Sequence, residues 1–160
     1  MRLLSALLLW LALAPAALAQ DTGRFVEHQA VPSTNVAPPH VVVWLPPGYD
    51  QGNRRYPVVY MNDGQNLFFP ERSSYKKVWA ADKSALRLIA ARKVAPFIIV
   101  GVDHPGKDRF RQYFPAKVPQ GALRQGIEGF AGPLTGDAYL GFLADELKPF
   151  IDRTYSTRPE

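Results

Sequence analysis

Two short, unbroken apolar runs, "YPVVYM" at 56–61 and "PFIIVGVD" at 96–103, stand on either side of a stretch with helical spacing. A strand that buries one face alternates apolar with polar residues, whereas a continuous apolar run suits a strand covered on both faces, as in a parallel sheet flanked by helices. Between the two runs, across 78–93, Trp79, Leu86, Ile89 and Ala90 fall near one helical face while Lys83, Arg87 and Arg92 fall elsewhere. The pattern predicts a strand–helix–strand unit with parallel strands, and hence an α/β fold.

The flanking segments extend that pattern. "RFVEHQAV" and "HVVVWLP" read as strands separated by the loop "PSTNVAPP"; the second is rich in Val, carries Trp44, and stops at Pro46-Pro47-Gly48. From 110 to 133 Gly and Pro recur at short intervals with no sustained period, and long excursions of this kind tend to be functional or mobile. Across 135–155, Tyr139, Phe142, Leu143, Leu147, Phe150, Ile151 and Tyr155 recur mostly at three- and four-residue steps, which predicts a helix capped by Thr135 or Asp137. Pro149 should remove one hydrogen bond of that helix and bend it.

The N-terminus reads differently. Arg2, the apolar run "LLSALLLWLALAPAALA" and the small-x-small site Ala17-Leu18-Ala19 together predict a secretory signal peptide over 1–19, with a secreted or periplasmic chain starting at Gln20. Pro15 and the lack of a basic flank after the run argue against a membrane anchor, so no stable membrane insertion is expected once the signal is cleaved. Residues 20–160 are enough for one domain and too few for two of ordinary size. With no cysteine in the chain, disulfides, Cys-ligated metals and a cysteine nucleophile are all excluded. The formal charge is +5, but the basic residues are scattered, which argues against a nucleic-acid surface.

The sharpest local feature is "NDGQN", 62–66, which breaks an apolar strand abruptly. It is either a plain Asp-Gly turn or a loop that aims backbone N–H groups at developing negative charge. Gly64 would allow close backbone approach, and Asp63 and Asn66 could hold the turn through their side chains. Of the three histidines, His28 and His40 read as surface residues, while His104 sits at the C-terminal end of a strand, where sites of open sheets gather. Asp103, His104 and Asp108 match no standard ligand spacing, so neither a metal nor a cofactor is expected.

"VVVWLPPGYD", "YPVVYMNDGQNLFF", "WAADKSALRLIAARKVAPFIIVGVD", "RFRQYFP" and "GDAYLGFLADELKPFIDRTYSTRPE" stand in the order found in one family. The chain resembles the N-terminal portion of the esterase family of α/β-hydrolases, the group with esterase D-like, enterochelin-esterase-like and feruloyl-esterase-like members. The resemblance implies a mostly parallel sheet with an antiparallel first strand pair and flanking helices, "FIIVGV" next to that pair and "PVVYM" outside it. It also implies a serine ester hydrolase working through an acyl-enzyme on a small-molecule or carbohydrate-linked ester. Asp63, Gly64, Gln65 and Asn66 would then form the oxyanion loop, with the N–H of Gln65 or Asn66 as donor. Arg109 and Tyr113 match a segment near the mouth of the site and could contact the acyl or leaving group; alternatively Arg109 pairs with Asp103 or Asp108 and Tyr113 packs. Asn62 stands where many relatives carry histidine, a change that bears on loop packing.

One departure is large. No G-x-S-x-G occurs, and the serines after the leader are Ser33, Ser73, Ser74, Ser84 and Ser156. In the family order of nucleophile, acid and histidine, the triad would lie beyond Glu160. Residues 20–160 are therefore expected to be a partial domain truncated before the nucleophile elbow. The alternative is a non-catalytic binding or scaffold domain derived from the same fold.

Overall fold

The computed structural model describes residues 21–117 and 132–159; the expected signal peptide and much of the 110–133 excursion lie outside them. Four strands form one mixed sheet: β1 (Arg24–His28), β2 (Val41–Leu45), β3 (Val58–Asn62) and β4 (Ile98–Val102), in the order β1-β2-β4-β3. β2 pairs antiparallel with both β1 and β4, and β3 pairs parallel with β4, Val58 opposite Ile98 and Asn62 opposite Val102. Three strands thus share one direction and β2 opposes them. The expected strand order is the observed one.

Burial explains the sequence pattern of the two inner strands. Val41, Val43, Leu45, Ile98, Val100 and Val102 face Tyr139, Phe142, Leu147 and Ile151 on one side of the sheet. On the other side Val42, Trp44 and Ile99 face Leu67, Phe68 and Ala85. A strand with a hydrophobic layer on each face has no reason to alternate. β3 departs from this expectation: Val59 is 42% exposed, and among the described residues β3 has a neighbouring strand on one edge only. Along its other edge, among the described residues, one bridge forms, with the Tyr56 N–H donating to the Ser156 carbonyl (2.9 Å) and the Arg158 N–H to the Tyr56 carbonyl (2.8 Å).

The helices are shorter than their periodicity suggests. α1 (Ala81–Ala90) opens after Ala80, whose backbone is left-handed. α2 (Arg109–Tyr113) is a short helix at the start of the excursion. The last helical stretch is composite: α3 (Gly136–Gly141), a wider π turn over Phe142–Leu147, and α4 (Lys148–Thr154). Thr135 occupies the cap position of α3, yet neither it nor Asp137 makes a side-chain capping bond. Pro149 falls in the first turn of α4, directly after the π turn, within a helical stretch that continues from Gly136 to Thr154.

Candidate functional site

The parallel strands β3 and β4 end side by side, and the loops that follow them meet. After β3 the chain turns through Asp63 into a single 3₁₀ turn, Gly64–Asn66. Glycine at 64 is a steric requirement: a Cβ there would stand 2.6 Å from the Gly101 carbonyl carbon and 2.8 Å from Asp103 Oδ1. The turn therefore lies directly on the C-terminal end of β4, and Gly101 returns the accommodation, since a Cβ on it would meet Leu67 at 2.7 Å.

Asp63 holds left-handed backbone, φ 57°, a costly conformation for a residue with a Cβ. Three groups hold it there. Arg109 donates from Nε and Nη2 to the two carboxylate oxygens (2.8 and 2.7 Å), and the Tyr113 hydroxyl donates to Oδ1 (3.2 Å). The Asp63 N–H in turn donates to the Tyr113 hydroxyl at 3.4 Å. Asp63 is 7% exposed, and the bonds from Arg109, ahead of all other influences, keep its carboxyl below the usual aspartate range. Burial pushes the Tyr113 hydroxyl up to about 12, so it remains a donor at any physiological pH.

Arg109 finds its carboxylate within the candidate loop itself. Arg109 pairs with neither Asp103 nor Asp108. Asp108 is taken by Arg111 (2.6 Å) and Asp103 by Arg72 (2.6 Å), while Arg109 and Tyr113 clamp Asp63 from a helix some fifty residues downstream. Tyr113 also packs against Tyr139 at 5.4 Å, and the Tyr139 hydroxyl donates to Asn62 Oδ1 at 2.6 Å. Asn62 is thus tied to α3, and Asp63 to α2.

The backbone donors of the turn divide cleanly. The Asn66 N–H is committed to the Asp63 carbonyl (2.8 Å) and the Leu67 N–H to the Gly64 carbonyl (3.1 Å). The N–H groups of Gly64 and Gln65 open the turn, where helical geometry offers them no acceptor. The Asn66 side chain does not close the turn on itself; its Oδ1 accepts from Ser73 Oγ (3.1 Å) and the Ser74 N–H (3.3 Å). Gln65 Oε1 accepts the His104 N–H at 3.4 Å, while Gln65 Nε2 and Asp103 Oδ1 are buried polar atoms without partners among the described residues.

Two histidines are more enclosed than the sequence suggests. The His40 side chain is 15% exposed; its Nδ1 accepts from Arg72 (2.6 Å) and its Nε2 lies 3.1 Å from Glu27. His28 sits within 2.7 Å of the Tyr155 hydroxyl and edge-on to Phe150. His104 Nδ1 accepts the Gly106 N–H at 2.9 Å. Among the described residues, no serine hydroxyl is bonded to a histidine: Ser33 bonds Glu146, and Ser73 bonds Asn66 and the Lys77 carbonyl. Burial raises the Asp103 carboxyl, against the pull of Arg72 and His40. From the sequence Arg72 is not singled out and Tyr139 is marked only as part of an apolar helix face, because nothing local marks a bond to a partner 31 or 77 positions away.

Beside Asn62 an apolar cavity of about 270 Å³ opens between Tyr113, Tyr139, Leu140 and Leu143. The site therefore offers two backbone N–H groups at the opening of a turn, without an acceptor among the described residues, a buried carboxylate bonded by Arg109, and, beside Asn62, an apolar recess. That is a geometry suited to a polar, oxyanion-forming group with an apolar substituent.

Comparison with known proteins places this geometry in context. The family described as "Putative esterase" matches residues 34–160. An IroE-like serine hydrolase from Shewanella oneidensis superposes with a TM-score of 0.60 at 22% identity, over 84% of this chain and 39% of its own. The BES protein from Bacillus cereus follows at 0.57 and 17% identity, covering 91% of this chain and 51% of its own. A ferulic acid esterase from the anaerobic fungus Anaeromyces mucronatus gives 0.52 and 20%, over 89% and 47%. At these identities the likeness is one of fold, and the chain spans 39–51% of the length of those structures. No curated protein matches the sequence.

Proposed function

The chain belongs to the esterase family, and from that premise we propose that it is the N-terminal part of a serine ester hydrolase in which the 63–66 loop supplies one half of the oxyanion hole. The observation that carries this reading is the pair of N–H groups, Gly64 and Gln65, that have no acceptor among the described residues, at the C-terminal end of β3, in a turn bonded through Asp63 to Arg109 and Tyr113. In this superfamily the second donor follows the nucleophile on the next strand. As the carbonyl carbon is attacked, charge collects on its oxygen, and fixed donors then stabilise it without having to reorganise.

The serine, acid and histidine belong, in this proposal, to chain that follows Glu160. Two observations favour it: the solved structures of this fold are about twice as long, and the chain leaves α4 already bridged, in parallel sense, to Tyr56 beside β3. The substrate is a small-molecule or carbohydrate-linked ester, met outside the cytoplasm after removal of residues 1–19. Amino-terminal sequencing of the exported protein should begin at Gln20.

The test is turnover of a short-chain nitrophenyl ester. The 160-residue chain should give none above background, and a reading frame extended to include G-x-S-x-G should hydrolyse it; turnover by the short chain would overturn the assignment of the nucleophile. A second reading, a non-catalytic binding or scaffold domain, is favoured by the absence of any serine–histidine pair among the described residues. A stop codon directly after Glu160 in the genomic sequence would select it.

A further inference from the structure

The segment that follows the candidate loop carries two aromatic rings outward: Tyr75 is 84% exposed and Trp79 56%. Such exposure is incidental on a loose loop, but this segment is fixed. Lys76 and Ala80 both hold left-handed backbone, φ 53° and 51°. Ser73 Oγ donates to the Lys77 carbonyl, the Lys76 N–H to the Ser73 carbonyl (3.1 Å), and the Trp79 N–H to the Asn66 carbonyl (2.9 Å). The segment is thereby tied to the candidate loop at Asn66, whose side chain also receives Ser73 and Ser74. Tyr75 is thus held almost fully exposed and Trp79 half-exposed by backbone of a kind that clusters at active sites, ligand clamps and switch regions.

The rings border an open cavity of about 610 Å³, together with Asn66 and Lys77. Aromatic faces present a flat apolar surface with negative charge above the ring. The Lys77 ammonium adds three donors and the Asn66 amide two more. A sugar ring offers the complement: a face of C–H groups to lie on an aromatic ring, and hydroxyls around its rim to accept from nitrogen donors. A purely apolar ligand would leave those donors without use.

We propose that Tyr75 and Trp79 form a carbohydrate-binding shelf that holds the sugar portion of a carbohydrate-linked ester beside the 63–66 loop. The position of the ester rests on the hydrolase reading given above, whereas sugar binding is measurable without any turnover. Neutral oligosaccharides, xylohexaose, cellohexaose and maltohexaose in turn, are titrated while the emission difference between the protein and its Trp79→Phe variant is followed. That difference isolates Trp79 from the fully buried Trp44. At least one sugar should change the Trp79 signal saturably, and Tyr75→Ala should weaken that sugar about five- to tenfold with the thermal midpoint unchanged. The proposal is overturned if acrylamide reaches Trp79 while none of the sugars alters its emission, if Trp79 proves shielded from acrylamide, or if Tyr75→Ala binds as tightly as the parent. Loss of the hydrolase reading alone would leave a positive titration standing, and a negative titration would leave the hydrolase reading intact.

Discussion

Asp63 holds left-handed backbone while its carboxylate accepts two hydrogen bonds from Arg109. Replacing Arg109 by Ala removes two charge-assisted hydrogen bonds and should cost about 1.5–3 kcal/mol. The pH dependence separates this clamp from general packing. A carboxyl whose folded pKa is depressed contributes stability above its unfolded value, about 3.9, and that contribution disappears as pH falls through the folded value. The gap between the parent protein and Arg109→Ala in urea midpoint should therefore be wide at pH 7 and shrink progressively as pH falls below the unfolded value of about 3.9; a gap of constant width would mean that the Asp63 charge is not what Arg109 serves. Gly64→Ala acts through steric conflict, since the new methyl meets the Gly101 backbone at 2.6 Å and Asp103 Oδ1 at 2.8 Å. It should cost about 1–3 kcal/mol, readable in the same denaturation at pH 7. At this scale the sequence marks the turn, because Asp-Gly between apolar runs is a local signal. It cannot mark the clamp, because Arg109 and Tyr113 lie 46 and 50 positions from Asp63.

Among the elements, β3 and the composite helix at 136–154 depart most from their sequence patterns. "PVVYM" has the composition of an inner strand, yet Val59 is exposed on an edge whose backbone, among the described residues, is bridged only at Tyr56. An apolar edge is a template for pairing between chains. Val59→Lys should reduce aggregation, measured by light scattering, while changing stability by no more than about 0.5 kcal/mol. For the last helix, periodicity names the buried side correctly, since Tyr139, Phe142, Leu147 and Ile151 all face the sheet. The π turn escapes notice because its partner is remote: Glu146 projects from it to the loop before β2, where it accepts from Ser33 Oγ, Thr34 N–H (2.9 Å) and Thr34 Oγ1 (2.6 Å). The bonds from Ser33, first among several, lower the Glu146 carboxyl to about 2. Glu146→Gln should accelerate amide exchange at Thr34 while leaving β2 protected, a difference that hydrogen-exchange mass spectrometry resolves.

For the whole molecule, the class of fold is legible because β2 and β4 are covered on both faces, and a doubly covered strand writes its burial into every residue. The site is legible only as a loop, since its chemistry depends on groups brought together by the crossing of β3, α2 and α3. The bridge between Tyr56 and Thr157 adds information of another kind, a count. Parallel pairing advances residue for residue, so a strand continuing from this rung would set its sixth residue after Thr157 opposite Asn62, itself six after Tyr56. In a longer reading frame, the G-x-S-x-G motif should therefore begin within about five residues of that position. A motif found much earlier or much later would require a bulge or a different neighbour for β3. A single pair of hydrogen bonds thus acts as a ruler, converting a position in space into a codon number that sequencing can check.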